Sequence, residues 1–275
     1  MKKFIAGILC LLMTMSLVAC GGSDSKDDPA KKSSDNKASE AETFTVGFDK
    51  DFPPYGYVEE DGSYAGFDID LATEVAKRLN LEINLQPIDW DAKDMELSSG
   101  TIDCIWNGFT INGREDEYTW SDAYMNNSQV FVVRTKDNIK STKDLAGKIV
   151  SVQTDSSAQA SLEEEENADL KASFKELVVC ADYNSAFMDL ESGAVDAIAM
   201  DVGVARYQIT KRDGNDTYAV LDEELASEQY GVGFLKGNTK LRDKVNDTLK
   251  EMVKDGTFAE ISEKWFSEDV GIIGK

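Results

Sequence analysis

The 275-residue chain contains no histidine. That excludes Ser–His and Cys–His nucleophilic pairs and every His-ligated metal centre. Arg114 carries a planar fork of donors that matches a carboxylate in two bonds. Ser156 and Ser157 stand where a helix should open. The free N–H groups of a first helical turn favour an anion, although the same serines read equally well as simple N-caps. The acidic run Glu163 to Glu166 lacks the spaced oxygen donors of a metal loop and reads as a solvated helix face. Four cysteines are present. Cys104 and Cys180 fall in separate strand-like runs expected in different lobes, which predicts buried free thiols rather than a disulfide.

The elements that must position these groups follow from periodicity. Phe44 to Phe48 reads as a strand, followed by a Pro-Pro loop through Tyr55. Gly66-Phe67-Asp68 leads into a helix with Asp68 or Asp70 near its start and Ala72, Val75, Ala76 and Leu79 on one face. Glu82 to Ile88 alternates as a strand does. A second round begins at Ser141 to Leu145, with a strand over 148–153 and a helix from about Ala158. Near the end, Leu241, Val245, Leu249 and Met252 form a helical stripe. Gly256 breaks it, and Phe258, Ile261 and Trp265 continue on another helix. Strands alternating with helices of this length predict an α/β architecture with helices on the faces of largely parallel sheets.

An internal echo ties the two rounds together. Leu97-Ser98-Ser99-Gly100-Thr101-Ile102-Asp103-Cys104-Ile105 matches Leu190-Glu191-Ser192-Gly193-Ala194-Val195-Asp196-Ala197-Ile198. Each reads as a helix end, a glycine stop and a short buried strand. Gly108 lies five residues past Asp103 and Asp201 five past Asp196. Equivalent units therefore place Gly108 and Asp201 at matching strand ends, where open α/β sheets bind ligands.

The first residues have a different character. Met1-Lys2-Lys3 and the apolar run to Met15 read as a secretory signal over residues 1–19. Leu17-Val18-Ala19-Cys20-Gly21 resembles the lipobox of bacterial lipoproteins, which makes Cys20 the expected lipidation site. Residues 20–42 hold no aromatic or large aliphatic residue and are expected to form a tether. Without the two lysines of the signal, 27 basic residues face 52 acidic ones, a net charge of −25. This balance argues against nucleic acid or anionic lipid as partner.

The ordered motifs resemble the polar amino acid substrate-binding proteins of bacterial ABC importers. The match runs through Gly66-Phe67-Asp68-Ile69-Asp70-Leu71, Gly108-Phe109-Thr110-Ile111 with Arg114, and Trp120-Ser121-Asp122-Ala123-Tyr124. It closes on Tyr230-Gly231-Val232-Gly233-Phe234 and Lys264-Trp265-Phe266. The resemblance implies a two-lobed periplasmic-binding-protein-like (type II) fold joined by two hinge strands. Lobe 1 then covers 43–131 plus 232–275 and lobe 2 covers 132–231, with crossings near Gln129 to Val133 and Gln229 to Phe234. It implies Arg114, Ser156 and Ser157 as holders of an amino acid's carboxylate, although Arg114 follows Thr110 by four residues where the family usually has five. Asp201, the Thr110 hydroxyl and the Gly108 carbonyl would meet the ammonium. Asp49, Phe52, Trp90 and Gln153 would line the side-chain pocket and favour a polar neutral or basic amino acid. No catalytic residue, metal or cofactor is implied. The partners would be permease subunits of an importer, with membrane contact through the lipid alone and a monomeric state. A dehydratase-like enzyme and a sensory module are the alternatives on the same fold.

Overall fold

The computed structural model describes residues 42–212 and 216–275. The expected signal, Cys20 and nearly all of the tether lie outside them. Two sheets organise the chain. In the first, β1 (Thr43–Phe48) lies parallel to β5 (Glu82–Pro87) and to β6 (Cys104–Ile105), and β14 (Gly233–Phe234) runs antiparallel between β6 and β7 (Thr119–Trp120). In the second, β9 (Ile149–Gln153) lies parallel between β10 (Glu176–Cys180) and β11 (Ala197–Asp201). The long strand β8 (Met125–Arg134) pairs antiparallel with β11, β12 (Tyr218–Val220) and β13 (Ala226–Tyr230). A small antiparallel sheet, β2 (Asp51–Phe52), β3 (Gly56–Val58) and β4 (Tyr64–Ala65), follows β1. Two α/β lobes result, as the motifs implied.

The helices cover the sheets in the manner their apolar spacing requires. α1 (Phe67–Arg78) buries Ile69, Ala72, Val75 and Ala76, with Leu79 partly buried just beyond it. Full burial of a side chain such as Val75 contributes about 1.5–3 kcal/mol. α1 packs on β5, α7 (Thr239–Asp255) and α8 (Thr257–Phe266), so the C-terminal segment returns to the first lobe. Gly256 separates α7 from α8 in the left-handed conformation, at φ 87°.

The echoed segments are structurally equivalent. α2 (Lys93–Ser99) ends at Gly100 and α5 (Tyr183–Ser192) at Gly193, both left-handed, with φ 77° and 83°. β6 and β11 follow.

The second lobe continues with α3 (Ser157–Glu163), α4 (Ala168–Ser173) and α6 (Val202–Lys211). Glu163 to Glu166 are all exposed as expected, but α3 stops at Glu163, so the run is mostly not a helix face. Among the described residues no acidic or Cys cluster suits a metal. Cys104 is buried and Cys180 only half-buried, which corrects the expectation of two buried thiols; both are free and lie in different sheets.

Candidate functional site

Register builds the centre of the site. β8 faces β11 with Gln129 opposite Asp201, and faces β13 with Asn127 opposite Glu228. Alternation along β13 turns Glu228 and Tyr230 inward and leaves Ser227 and Gln229 outward. Asp201, Gln129, Asn127 and Glu228 therefore meet in one buried row. The Asn127 and Gln129 side-chain amides each donate both to Asp201 Oδ1 and to Glu228 Oε1, over 2.6 to 2.8 Å. Tyr230 adds its hydroxyl to Asp201 Oδ1 at 2.5 Å. Burial first, and then the charge of Glu228, pushes the Asp201 carboxyl well above the usual carboxylate range.

Asp201 also borders a partly open cleft between the lobes, with an empty volume of about 290 Å3 including the solvent at its mouth. Phe52, Trp90, Asn107, Gly108, Thr110 and Arg114 line it from the first lobe, and Gln153, Ser156, Ser157 and Asp201 from the second. Nine of the ten residues singled out in the sequence share this one space. The tenth, Asp49, sits behind Gln153, whose amide donates to Asp49 Oδ2 at 2.8 Å. Asp49 is 5% exposed, and burial pushes its carboxyl up to about 6.

Each liner is placed by a local device. Gly108 adopts φ 56°, and a Cβ there would stand 3.0 Å from the Phe52 ring and 3.2 Å from that of Tyr230, so only glycine allows this backbone to approach the cavity. Its N–H donates to Asp68 Oδ2 at 2.5 Å, and Tyr124 donates to the same carboxyl. Arg114, four residues past Thr110, forms no salt bridge among the described residues. Its guanidinium lies 5.5 Å over Phe109 and donates to the Asp155 carbonyl at 3.3 Å. Ser156 caps α3 by accepting from the Gln159 N–H at 3.1 Å. The Ser157 hydroxyl donates to Glu228 Oε2, and the Thr110 hydroxyl to Glu228 Oε1 at 2.8 Å.

Asp155 closes the rim. In a left-handed conformation, φ 54°, it accepts through its carbonyl from Trp90 Nε1 at 3.2 Å and pairs its carboxylate with Lys93. Glu228, Asn127, Gln129, Asn107 and Asp155 are additions to the residues expected from sequence. The alternating polar pair Asn127 and Gln129, in a strand that turns apolar from Val130, was the available signal.

The arrangement can neutralise a dipolar guest, with a cation at Asp201 and an anion at Arg114, from opposite lobes. Comparison places this two-lobed binding architecture. Residues 44–268 match the model of the bacterial extracellular solute-binding proteins, family 3. The chain belongs to that family. It is 34% identical over 239 residues to the L-cystine-binding protein TcyJ of Escherichia coli (strain K12), covering 86% of each chain. It is also 34% identical over 277 residues to the L-cystine-binding protein TcyA of Bacillus subtilis (strain 168), covering 98% of this chain and 99% of the relative. Among solved structures, an ABC uptake transporter substrate-binding protein from Streptococcus pneumoniae with bound histidine superposes with a TM-score of 0.80. It shares 40% identity, and the match covers 83% of this chain and 94% of that one. These relatives are solute-binding proteins rather than enzymes.

Proposed function

We propose that the protein captures a free amino acid, polar neutral or basic, between its lobes and hands it to the permease of an ABC importer. The observation that carries this reading is the placement of Arg114 and Asp201, of opposite charge and from opposite lobes, around one cleft. A zwitterion removed from water needs both charges met, because an unpaired buried charge is very costly. Arg114 takes the carboxylate together with N–H groups at Ser156 and Ser157. Asp201, the Thr110 oxygen and the Gly108 carbonyl take the ammonium. Phe52, Trp90, Gln153 and, through Gln153, Asp49 shape the side-chain pocket, where Asp49 favours a guest without its own negative charge. Lobe 1 is residues 43–131 plus 232–275 and lobe 2 residues 132–231, closing by a hinge motion. The monomer is secreted through residues 1–19, tethered by residues 20–42 and held at the outer face of the membrane by lipid on Cys20.

A thermal-shift screen of the twenty amino acids, ornithine and cystine tests the ligand class. A guest at a hundred times its Kd adds about 2.7 kcal/mol of stability, so at least one should raise the melting temperature by several degrees. No shift from any of them removes the reading. Arg114→Ala and Asp201→Ala should each weaken calorimetric affinity at least about 30-fold while melting cooperatively, since truncating one side of a buried charge contact costs about 2–5 kcal/mol. Unmodified Cys20 in membrane fractions, read by mass spectrometry, would remove the anchor.

A further inference from the structure

Two features of the buried row are not used by a simple ammonium clamp. Asp201 and Glu228, 4% exposed each, lie close together with no lysine or arginine bonded to either among the described residues. Two amide groups bridge Asp201 Oδ1 to Glu228 Oε1, so these oxygens stand no farther apart than two short hydrogen bonds laid end to end. Two carboxylates so placed, without a cation, strongly resist carrying two charges at once. The second feature is direction. The Thr110 and Ser157 hydroxyls give their protons to Glu228, which leaves only lone pairs on their oxygens for anything inside the cavity.

We propose that Glu228 is a positioning residue of the amino-acid site: with Asp201 it forms a carboxylate pair that holds one proton in the empty protein, releases it to solvent when an ammonium group arrives, and turns the Thr110 and Ser157 oxygens into acceptors. Charge balances: a pair bearing −1 loses a proton, becomes −2 and receives +1 from the guest. Oδ2 of Asp201 is the one oxygen of the four to which no side chain donates, and it is where the proton sits before the ammonium replaces it. The Ser157 hydroxyl is spoken for, so it offers nothing to a carboxylate, which falls to Arg114 and backbone N–H groups.

The other titratable groups around the pair do not supply this proton. Tyr230, Tyr55 and Tyr183 are phenols that burial pushes well above their ordinary range, so they stay neutral. Asp68 reaches the site only through the Gly108 N–H. Arg114 lines the same cavity. Asp49 does titrate in the neighbourhood, at about 6, behind Gln153. The difference between wild type and a Glu228 variant therefore isolates the pair.

This inference rests on the amino-acid reading, and its test separates the two. Wild type and Glu228→Gln are titrated calorimetrically with L-glutamine, L-arginine and L-cystine between pH 5.5 and 8, in buffers of differing ionisation enthalpy, to count protons. Below the raised Asp201 value wild type should release more protons per bound guest than the variant, by up to one. Wild-type affinity should fall by up to about tenfold per pH unit as pH drops through that value. Glu228→Gln, isosteric and cooperatively melting, should bind more weakly yet with a flatter pH profile. Equal proton counts in the two proteins overturn the pairing. Absence of wild-type binding to every one of the twenty amino acids, ornithine and cystine removes the functional reading and this inference with it. Should the variant not fold, carboxyl carbon NMR of wild type, with Asp201 assigned by Asp201→Asn, replaces it. The Asp201 carboxyl should move to its ionised shift when L-glutamine, L-arginine or L-cystine binds, and an unmoved signal in the presence of binding overturns the proposal.

Discussion

Asp103 and Asp196 make the same two bonds in the two lobes. Asp103 Oδ2 accepts from the Thr45 N–H at 2.7 Å while its own N–H donates to the Thr45 carbonyl at 2.8 Å. Asp196 Oδ2 accepts from the Ile149 N–H at 2.9 Å and its N–H donates to the Ile149 carbonyl at 2.8 Å. Each aspartate thus fastens the strand after a glycine stop to the first residues of the neighbouring parallel strand. In doing so it sets the register that delivers Gly108 or Asp201 to the cavity.

Both aspartates are half-buried, and each carboxylate–N–H bond is worth about 1–2 kcal/mol. Asp103→Ala and Asp196→Ala should each lower stability by about that amount in urea melts. Asp196 also stands 3.5 Å from the Arg134 guanidinium, which places it at the upper end. The sites share no partner, so the double variant should sum the single losses to within about 0.5 kcal/mol. A loss confined to one variant would show that the echo is not mechanically equivalent.

Asp68 makes stability depend on pH. Fully buried, with its carboxyl pushed up to about 7, it binds a proton in the folded protein that the unfolded chain has already lost above about 4. Its contribution is complete below the unfolded value and disappears as pH rises through about 7. Asp49, at about 6, acts in the same direction. The ligand-free protein should lose stability between pH 5 and 8. Asp68→Asn keeps an acceptor for the Gly108 and Tyr124 donors, and it should flatten that slope by up to about 1.4 kcal/mol per pH unit. Parallel slopes in the two proteins would contradict this.

Gly203, in the first turn of α6, abuts the other lobe. A Cβ there would lie 2.3 Å from the Tyr55 hydroxyl, and Tyr55 is fully buried. The backbone of Gly203 is ordinary helix, so alanine suits α6 itself and clashes only across the lobes. Gly203→Ala should weaken binding of whichever amino acid stabilises the wild type about tenfold or more, while leaving the melting of the empty protein within about 1 kcal/mol. Small-angle scattering should show a more open particle on ligand addition than wild type gives. Unchanged affinity would mean that the Tyr55 contact yields without cost.

Much of this protein is written locally in its sequence. The α1 stripe, the glycine stops at Gly100 and Gly193, and the return of α7 and α8 each depend on spacings of a few residues, where periodicity and left-handed φ are decided by neighbours in the chain. Nine of the ten residues expected at a site line one cleft because they fall at strand ends or inside motifs, and such ends converge in any two-lobed α/β arrangement. The part that local pattern could not supply is the row from Asp201 to Glu228. It exists only because β8 takes β11 on one side and β13 on the other in one particular register, bringing together residues from three separated strands. That same register sets Asp201 beside a second acid and directs the Thr110 and Ser157 hydroxyl protons away from the cavity. Hydrogen-bond direction and shared burial are properties of tertiary neighbours, and no spacing along the chain encodes them.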